Sequence, residues 1–381
     1  MSAASNRQEL DPPASPNTLP PPVGEVIETP TTQRADDPAI SAVLDELIAK
    51  VGGSAGAPGS FNARLIKDAM TTALKLIPDG RNTGELKLIT TAIKELRYAY
   101  RVFGAHPEPH KVSIFGSART PKDHPDYVAA KEFGSLMAAA GWMVITGAGG
   151  GIMEAGHEGP GREKSFGVAI RLPFEQATNP VIAGDNKLIH FRYFFTRKLM
   201  FLSQSEAVAL FPGGFGTMDE SFEALTLIQT GKSSMIPIVL VEGEGGNFWE
   251  QFDAAMRQML LSRGWISPED TSLYKLCRTP REACDHILHF YRIYHSSRYV
   301  KDDLVIRLKF AIKPADVERL SEKYAVLIKP APDGKRAMTL RGAYEVEDDH
   351  RELPRLCFTH TRHKFGLVRQ LIDDINRCDP A

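Results

Sequence analysis

The chain has 381 residues, of which 43% are hydrophobic and 24% charged, and 46 Lys+Arg against 47 Asp+Glu give a formal net charge of −1. That length predicts two domains plus tails, and the composition is that of an ordinary soluble globular protein. Without a basic excess there is no support for a nucleic-acid partner, and no run approaches the ~18 apolar residues of a membrane span. No basic region followed by an apolar core opens the sequence, so a secretory leader is not expected. The four cysteines, Cys277, Cys284, Cys357 and Cys378, form no C-x-x-C pair, which points to reduced thiols in a cytoplasmic protein and to no metal site.

Residues 1–37 are rich in Pro, Thr, Ser and Ala, with Pro20-Pro21-Pro22 in the middle. Such a segment cannot bury enough surface to offset its ordering entropy and is expected to be a disordered tail. From Pro38 the pattern turns helical: Ile40, Val43, Leu44, Leu47 and Ile48 form one stripe, and Leu86, Leu88, Ile89, Ile93 and Leu96 another. Between them lie the glycine-rich break Gly52–Gly59 and a further helix over Phe61–Ile77.

From Lys111 short apolar runs alternate with helical stretches. Strands are expected at Val112–Phe115, Trp142–Thr146, Gly167–Ile170, Ala207–Leu210 and Pro237–Val241. Helices are expected at Tyr127–Ala140, Ile152–Gly156, Arg192–Ser203, Ser221–Gln229, Phe248–Ser262 and Pro280–His295. This alternation predicts an α/β fold: a Rossmann-like parallel sheet flanked by helices, with ligands at the carboxyl ends of its strands. Beyond it, strands at Leu304–Phe310, Ala325–Ile328 and Arg355–Thr359 and helices at Pro314–Lys323 and Phe365–Asn376 read as a small α+β module.

Three loops follow strands: Gly116–Arg119, Gly147–Gly151 and Pro212–Thr217. Any one alone would be a tight turn, but three in one parallel sheet favour a nucleotide-like ligand. A dinucleotide is disfavoured because Ile152 stands where the third glycine of the fingerprint belongs, and Arg171 follows the next strand in place of an acid. A Walker loop is absent from this region. After the third loop, Asp219 and Glu220 set carboxylates beside the phosphate cradle.

The stretch Pro212-Gly-Gly-Phe-Gly-Thr-Met-Asp-Glu220 resembles the P-G-G-x-G-T-x-x-E signature of the Lonely Guy (LOG) family. Arg197-Lys198 is similar to that family's Arg-Lys pair, and Gly149-Gly-Gly-Ile-Met-Glu154 to its second glycine motif. The resemblance covers roughly 111–292 and is closer to the longer bacterial branch, nucleotide 5′-monophosphate nucleosidase-like, on account of Leu172–Gln176 and Phe194–Lys198. It implies a phosphoribohydrolase that cuts the N-glycosidic bond of a purine nucleoside 5′-monophosphate, such as AMP or a cytokinin riboside 5′-monophosphate, releasing free base and ribose 5-phosphate. It makes Arg197 and Glu220 catalytic. Gly214, Gly216 and Thr217 would hold the phosphate, with Gly213, Gly150, Ser117, Glu175, Lys198 and Thr226 among the substrate-binding positions and Met153 at the base. It implies no cofactor, and a homodimer or higher homo-oligomer whose subunits complete each other's sites.

The expected organisation is therefore a disordered tail (1–37), a helical cap or oligomerisation segment (38–110), the catalytic domain (111–297) and the small α+β module (298–381). Two other readings compete. A carrier or sensor of a nucleotide or other cofactor could use the same fold, although retention of both Arg197 and Glu220 favours an enzyme. Lysine decarboxylase, a label often attached to relatives of this family, needs pyridoxal phosphate on a Schiff-base lysine, and no lysine stands in a recognisable context for one. The preferred base and the proton donor for the leaving base stay open.

Overall fold

The computed structural model describes residues 37–53, 57, 59–108, 110–171, 178–332, 334–347 and 349–381. The expected disordered tail lies outside them apart from Asp37, whose carboxylate accepts from the Ala39 N–H at 2.7 Å and caps helix α1 (Pro38–Val51). Helix α2 (Phe61–Lys75) is capped by the Ser60 hydroxyl, which accepts from the Ala63 N–H at 3.0 Å. Leu44, Ile48 and Ala63 are buried in this pair, and Lys67 reaches Asp45 at 2.7 Å. Helix α3 (Thr83–Gly104) follows, and the chain divides into two compact units between its residues Thr91 and Ala92.

The second unit is built on β1 (Lys111–Phe115), α4 (Pro125–Ala139), β2 (Met143–Thr146), α5 (Ile152–Glu158), β3 (Ser165–Ile170) and β4 (Leu188–Phe191). It continues through α6 (Phe194–Ser203), β5 (Ala207–Leu210), α7 (Phe215–Gln229), β6 (Ile238–Val241), α8 (Phe248–Met256), β7 (Tyr274–Cys277) and α9 (Pro280–Phe290). The strands form one seven-stranded parallel sheet in the order β4-β3-β2-β1-β5-β6-β7. Every residue of β1, β2, β5 and β6 is buried, as in a sheet covered by helices on both faces. Chain order reverses between β1 and β5, and a crevice opens at such a switch point. The three glycine loops leave the carboxyl ends of β1, β2 and β5 and so converge there. On α3, Ala99 and Phe103 are buried, and Phe103 stacks on Phe166 of β3 at 4.6 Å.

Beyond α9 come β8 (Tyr294–Val300), β9 (Asp303–Leu308), α10 (Pro314–Lys323), β10 (Thr339–Arg341), β11 (Arg355–Thr359) and α11 (Phe365–Ile375). The strands form an antiparallel sheet ordered β10-β11-β9-β8. One buried apolar cluster runs from the parallel sheet into this module through Ile306, Leu356, Phe358 and Leu371. Helix α11 is wedged against the end of α7: the Phe365 ring fills the space where Gly231, at φ +68°, would carry a Cβ. Gln370 also donates to the Ser272 hydroxyl at 2.7 Å, and Lys364 pairs with Glu269 at 3.0 Å.

Several elements differ from the sequence expectation. Helix α7 starts at Phe215, six residues before Ser221, because Gly214 takes the N-cap position. Helix α9 stops at Phe290, and Tyr294 and His295 open a strand. The aromatic run there continues a helical period, but the Asn376 side chain accepts from the Ile293 and Tyr294 N–H groups at 2.8 and 3.0 Å and turns the chain out of the helix. The segment expected as a strand at 325–328 is a 3₁₀ turn over Ala325–Leu327, with Ile328 bridged to His360. Strands β4, β7, β8 and β10 are short or partly polar and were not signalled by apolar runs.

The module's polar centre is Glu347, whose Oε1 accepts from Arg307 Nη2 at 2.7 Å and whose Oε2 accepts from Arg355 Nε at 3.0 Å. Both arginines are buried. Burial alone would raise the carboxyl pKa, but the hydrogen bonds from Arg355 and Arg307 outweigh it and hold it at about 2. Glu347→Ala leaves two buried guanidinium groups without this partner and is expected to cost about 3–5 kcal/mol in urea unfolding at neutral pH. In the wild type the ionised carboxylate's contribution is present above about pH 4.3, the unfolded value. It is lost as pH falls toward 2. A Glu347→Ala loss under 1 kcal/mol (about a fivefold change in the folding constant) would refute this account of the module.

Candidate active site

Helix α7 begins at the exit of β5 with no side-chain cap on Gly214. The first helical hydrogen bond runs from the Met218 N–H to the Gly214 carbonyl at 3.1 Å. The N–H groups of Phe215, Gly216 and Thr217 therefore lie ahead of the helical ladder, at the positive end of the helix dipole, where an anion is favoured. Gly214 and Gly216 face open space: a Cβ on either meets nothing within 4 Å. Gly213 differs, since a Cβ there would lie 2.9 Å from the Ser117 N–H nitrogen and would run into the Thr217 hydroxyl. Glycine is thus required at 213 for the loop to close, and Thr217 is buried against it.

Ser117 stitches the three loops together. Its N–H donates to the Pro212 carbonyl at 3.1 Å, its carbonyl accepts from the Ile152 N–H at 3.0 Å, and its hydroxyl accepts from the Arg119 N–H at 3.1 Å. Gly150 lies in the middle loop, beside the Ala118 carbonyl. At Gly147 a Cβ would come within 2.6 Å of both Arg197 Nη2 and Met153 Sδ, so these two side chains flank the same glycine.

Arg197, on α6, donates from Nε to the Val168 carbonyl of β3 at 2.9 Å and lies over the Phe201 ring at 5.1 Å. Burial lowers its pKa, and the charge of Glu220 opposes that. Glu220 is only 8% exposed, and its Oε2 is buried without a hydrogen-bond partner. Burial, the larger effect, raises its carboxyl pKa, against the cations Lys198 and Arg197. Lys198 Nζ is held by Asp219 at 2.7 Å and Glu223 at 3.0 Å, with Glu220 Oε2 at 3.6 Å. Two partly buried cations, Lys198 and Arg197, thus act on a carboxylate that has been taken out of water.

The structure brings together Arg197, Lys198, Glu220, Ser117, Gly150, Met153, Gly213, Gly214, Gly216 and Thr217. Thr226 is not among them: it is exposed, about 9 Å further along α7 than Glu220 at 1.5 Å per residue. Glu175 lies outside the described residues. Among the described residues no group of His, Cys, Asp or Glu side chains converges in a metal-binding arrangement.

Sequence reasoning missed the support beneath the middle loop. His157, fully buried, has Nε2 3.0 Å from both the Thr146 hydroxyl and the Phe166 carbonyl. Asn179 Nδ2 lies 3.2 Å from His157 Nδ1 and donates to the Gly149 carbonyl at 3.0 Å. The Thr146 hydroxyl accepts from the N–H of Ala148, which sits at φ +63°. This chain of bonds fixes the loop's unusual backbone. Burial pulls the His157 pKa down to about 4, against its bonds to Phe166 and Asn179, so the ring stays neutral near pH 7. Nothing in the spacing of Thr146, His157 and Asn179 signals their meeting.

Residues 149–287 match the family model described as "Possible lysine decarboxylase". The chain is 29% identical over 143 residues, 36% of its own length and 73% of the relative's, to the cytokinin riboside 5′-monophosphate phosphoribohydrolase of Mycobacterium tuberculosis. A structural-genomics X-ray structure matches 47% of this chain and 99% of its own, at 22% identity and a TM-score of 0.35. The molybdenum cofactor binding protein of Rippkaea orientalis matches 48% of this chain and 97% of its own, at 18% identity and a TM-score of 0.34. The family model and the curated relative bear out the resemblance carried by Pro212–Glu220 and Arg197-Lys198.

A raised carboxyl pKa in the folded state means that Glu220 favours folding most when protonated. That contribution is fully present below about pH 4.3, the unfolded value, and is lost as pH rises through the raised folded value. Glu220→Gln is therefore expected to melt above the wild type at pH 7, with the gap closing toward pH 4. A gap that widens on acidification would show that the carboxylate is stabilised in its charged form.

Proposed function

We propose that this chain, whose central domain is of the Lonely Guy type, is a phosphoribohydrolase acting on purine nucleoside 5′-monophosphates. AMP and cytokinin riboside 5′-monophosphate are the representative substrates, and the products are free base and ribose 5-phosphate. The observation that carries the reading is the buried Oε2 of Glu220, which has no hydrogen bond, lies 3.6 Å from Lys198 Nζ and feels the charge of Arg197, on the helix whose N-terminus would take the anion. The activity in the name of the mycobacterial relative supports cleavage of the same bond.

In this reading the 5′-phosphate sits on the N–H groups of Phe215, Gly216 and Thr217, and its binding energy fixes the ribose over Glu220. The C1′–N9 bond breaks, the base leaves with the bonding pair and takes up a proton, and positive charge develops on the ribose. Glu220 faces that charge and accepts a proton from the water whose oxygen bonds to C1′. Its raised pKa makes it a better base than an exposed carboxylate. Arg197, anchored on Val168, orients Glu220 or a ribose hydroxyl.

Lys198 fits a clamp better than a Schiff base. Burial would lower its pKa, but hydrogen bonds to Asp219 and Glu223 hold it above the ordinary ammonium range. An imine-forming lysine attacks as the free amine. We assign the protein no cofactor on this ground, and a cytoplasmic, homodimeric state. Supporting a dimer are Phe194, Phe195 and Leu199 on α6 and Phe215, 96% exposed at the start of α7, which leave apolar surface in water beside the site.

Purified protein is expected to release adenine and ribose 5-phosphate from AMP with kcat/KM at least about 100-fold above that for adenosine, since adenosine has no group for the anion site. Equal rates on the two would overturn the phosphate assignment; AMP binding without turnover would establish a carrier. Arg197→Ala and Glu220→Ala are expected to cut kcat by about 10²–10⁴ while leaving the circular dichroism spectrum unchanged. Leu199→Asp is expected to give a monomer by sedimentation with reduced turnover; a dimer of full activity would remove α6 from the interface.

A further inference from the structure

Helix α6 carries Arg197 and Lys198, yet Tyr193 at its N-cap makes no side-chain cap. The missing partner comes from α3, outside the segment matched by the family model. Glu95 Oε1 accepts from the Arg192 N–H at 2.6 Å, and Glu95 Oε2 accepts from the Thr196 hydroxyl at 2.6 Å. These two bonds grip the chain on either side of Tyr193, immediately before Arg197. A carboxylate at this end also meets the positive end of the α6 dipole.

The placement of Glu95 is itself fixed. Ala99 and Phe103 follow it at i+4 and i+8, on the same face of α3, and both are buried, with Phe103 stacked on Phe166. Phe166 lies two residues before Val168, whose carbonyl receives Arg197 Nε at 2.9 Å. Strand β3 thus registers both α3 and the guanidinium. The Arg197 guanidinium is tied to Val168, and Glu95 holds the residue just before it, Thr196, together with Arg192.

We propose that Glu95 is a positioning residue for the hydrolytic site: its clasp on Arg192 and Thr196 sets where α6 begins and so where the Arg197 charge sits relative to Glu220. The inference rests on the assignment of Arg197 and Glu220 above. It makes the end of the N-terminal helical segment part of the active-site architecture, where a cap or oligomerisation role alone was expected.

The test measures AMP hydrolysis per folded enzyme in Glu95→Ala, Glu95→Gln and Thr196→Val. Glu95→Ala is expected to lower kcat by about tenfold or more with KM for AMP changed less than about threefold, as for a lost orienting interaction. The acid limb of kcat should also move to higher pH. Glu220 is faced by Arg197 and Lys198, which lower its pKa, and by Asp219 and Glu223, which raise it; loosening Arg197 removes one of the two cations. Glu95→Gln keeps an acceptor for Arg192 and a group for the Thr196 hydroxyl, and should restore both kcat and the acid limb. A role in stability alone would lower the melting temperature without moving the acid limb. Thr196→Val removes one bond at nearly constant volume and should shift kcat and the limb in the same direction, which keeps the test decisive if Glu95→Ala fails to fold. Unchanged kcat and acid limb in these variants, with Arg197→Ala and Glu220→Ala inactive, would overturn this inference alone. Turnover surviving in Arg197→Ala would overturn the reading on which it rests.

Discussion

A carboxylate deprived of water must be protonated or sit beside cations, and the region around β1 and β5 is arranged around that requirement at Glu220. Two cations oppose the burial of Glu220, and each is held by something else. Arg197 is pinned to a strand carbonyl, while Lys198 is shared among Asp219, Glu223 and Glu220. Neither is free to swing onto Glu220 and close a tight ion pair. The carboxylate keeps an oxygen that has an ion pair at 3.6 Å but no hydrogen bond, which costs stability.

The fold provides this by sending α6 across the switch point. The chain leaves β4 at one edge of the sheet, runs through α6, and returns as β5 beside β1. Arg197 and Glu220 therefore come from consecutive helices, α6 and α7, on either side of β5 in the chain. Small residues make the convergence possible. Gly147 leaves room for the Arg197 guanidinium and Met153, and Gly213 lets Thr217 fold back on the loop. The antiparallel module buttresses the far end of α7 through Phe365 and Gly231.

The parallel sheet was legible because fully buried strands read as unbroken apolar runs, as at Ala207–Leu210. Glycine loops after those runs marked the crevice, and the motif Pro212–Glu220 carried the family resemblance. What escaped was long-range. Asn376 ends α9 from 82 and 83 residues away, and no local pattern announces it. Glu95 lies 97 residues before Arg192, in a helix whose stripe read only as apolar. The His157–Asn179 contact is similarly invisible, since a lone histidine among apolar residues reads as core. Thr226, also read from the resemblance, is exposed and lies six residues beyond Glu220 on α7.

The Ser117 N–H to Pro212 carbonyl bond has a kinetic meaning as well as a geometric one. It extends the β1–β5 ladder, in which Val112 pairs with Ala207 at a sequence separation of 95. Pairings that span so much sequence must close a large loop before they gain any contact, and they form slowly. The anion cradle, Arg197 and Glu220 cannot meet until this central seam has zipped. Recovery of activity on refolding then reports the closure of the whole sheet, lagging behind the return of helical signal, and a chain released before β5 has docked carries a complete set of motifs and no site.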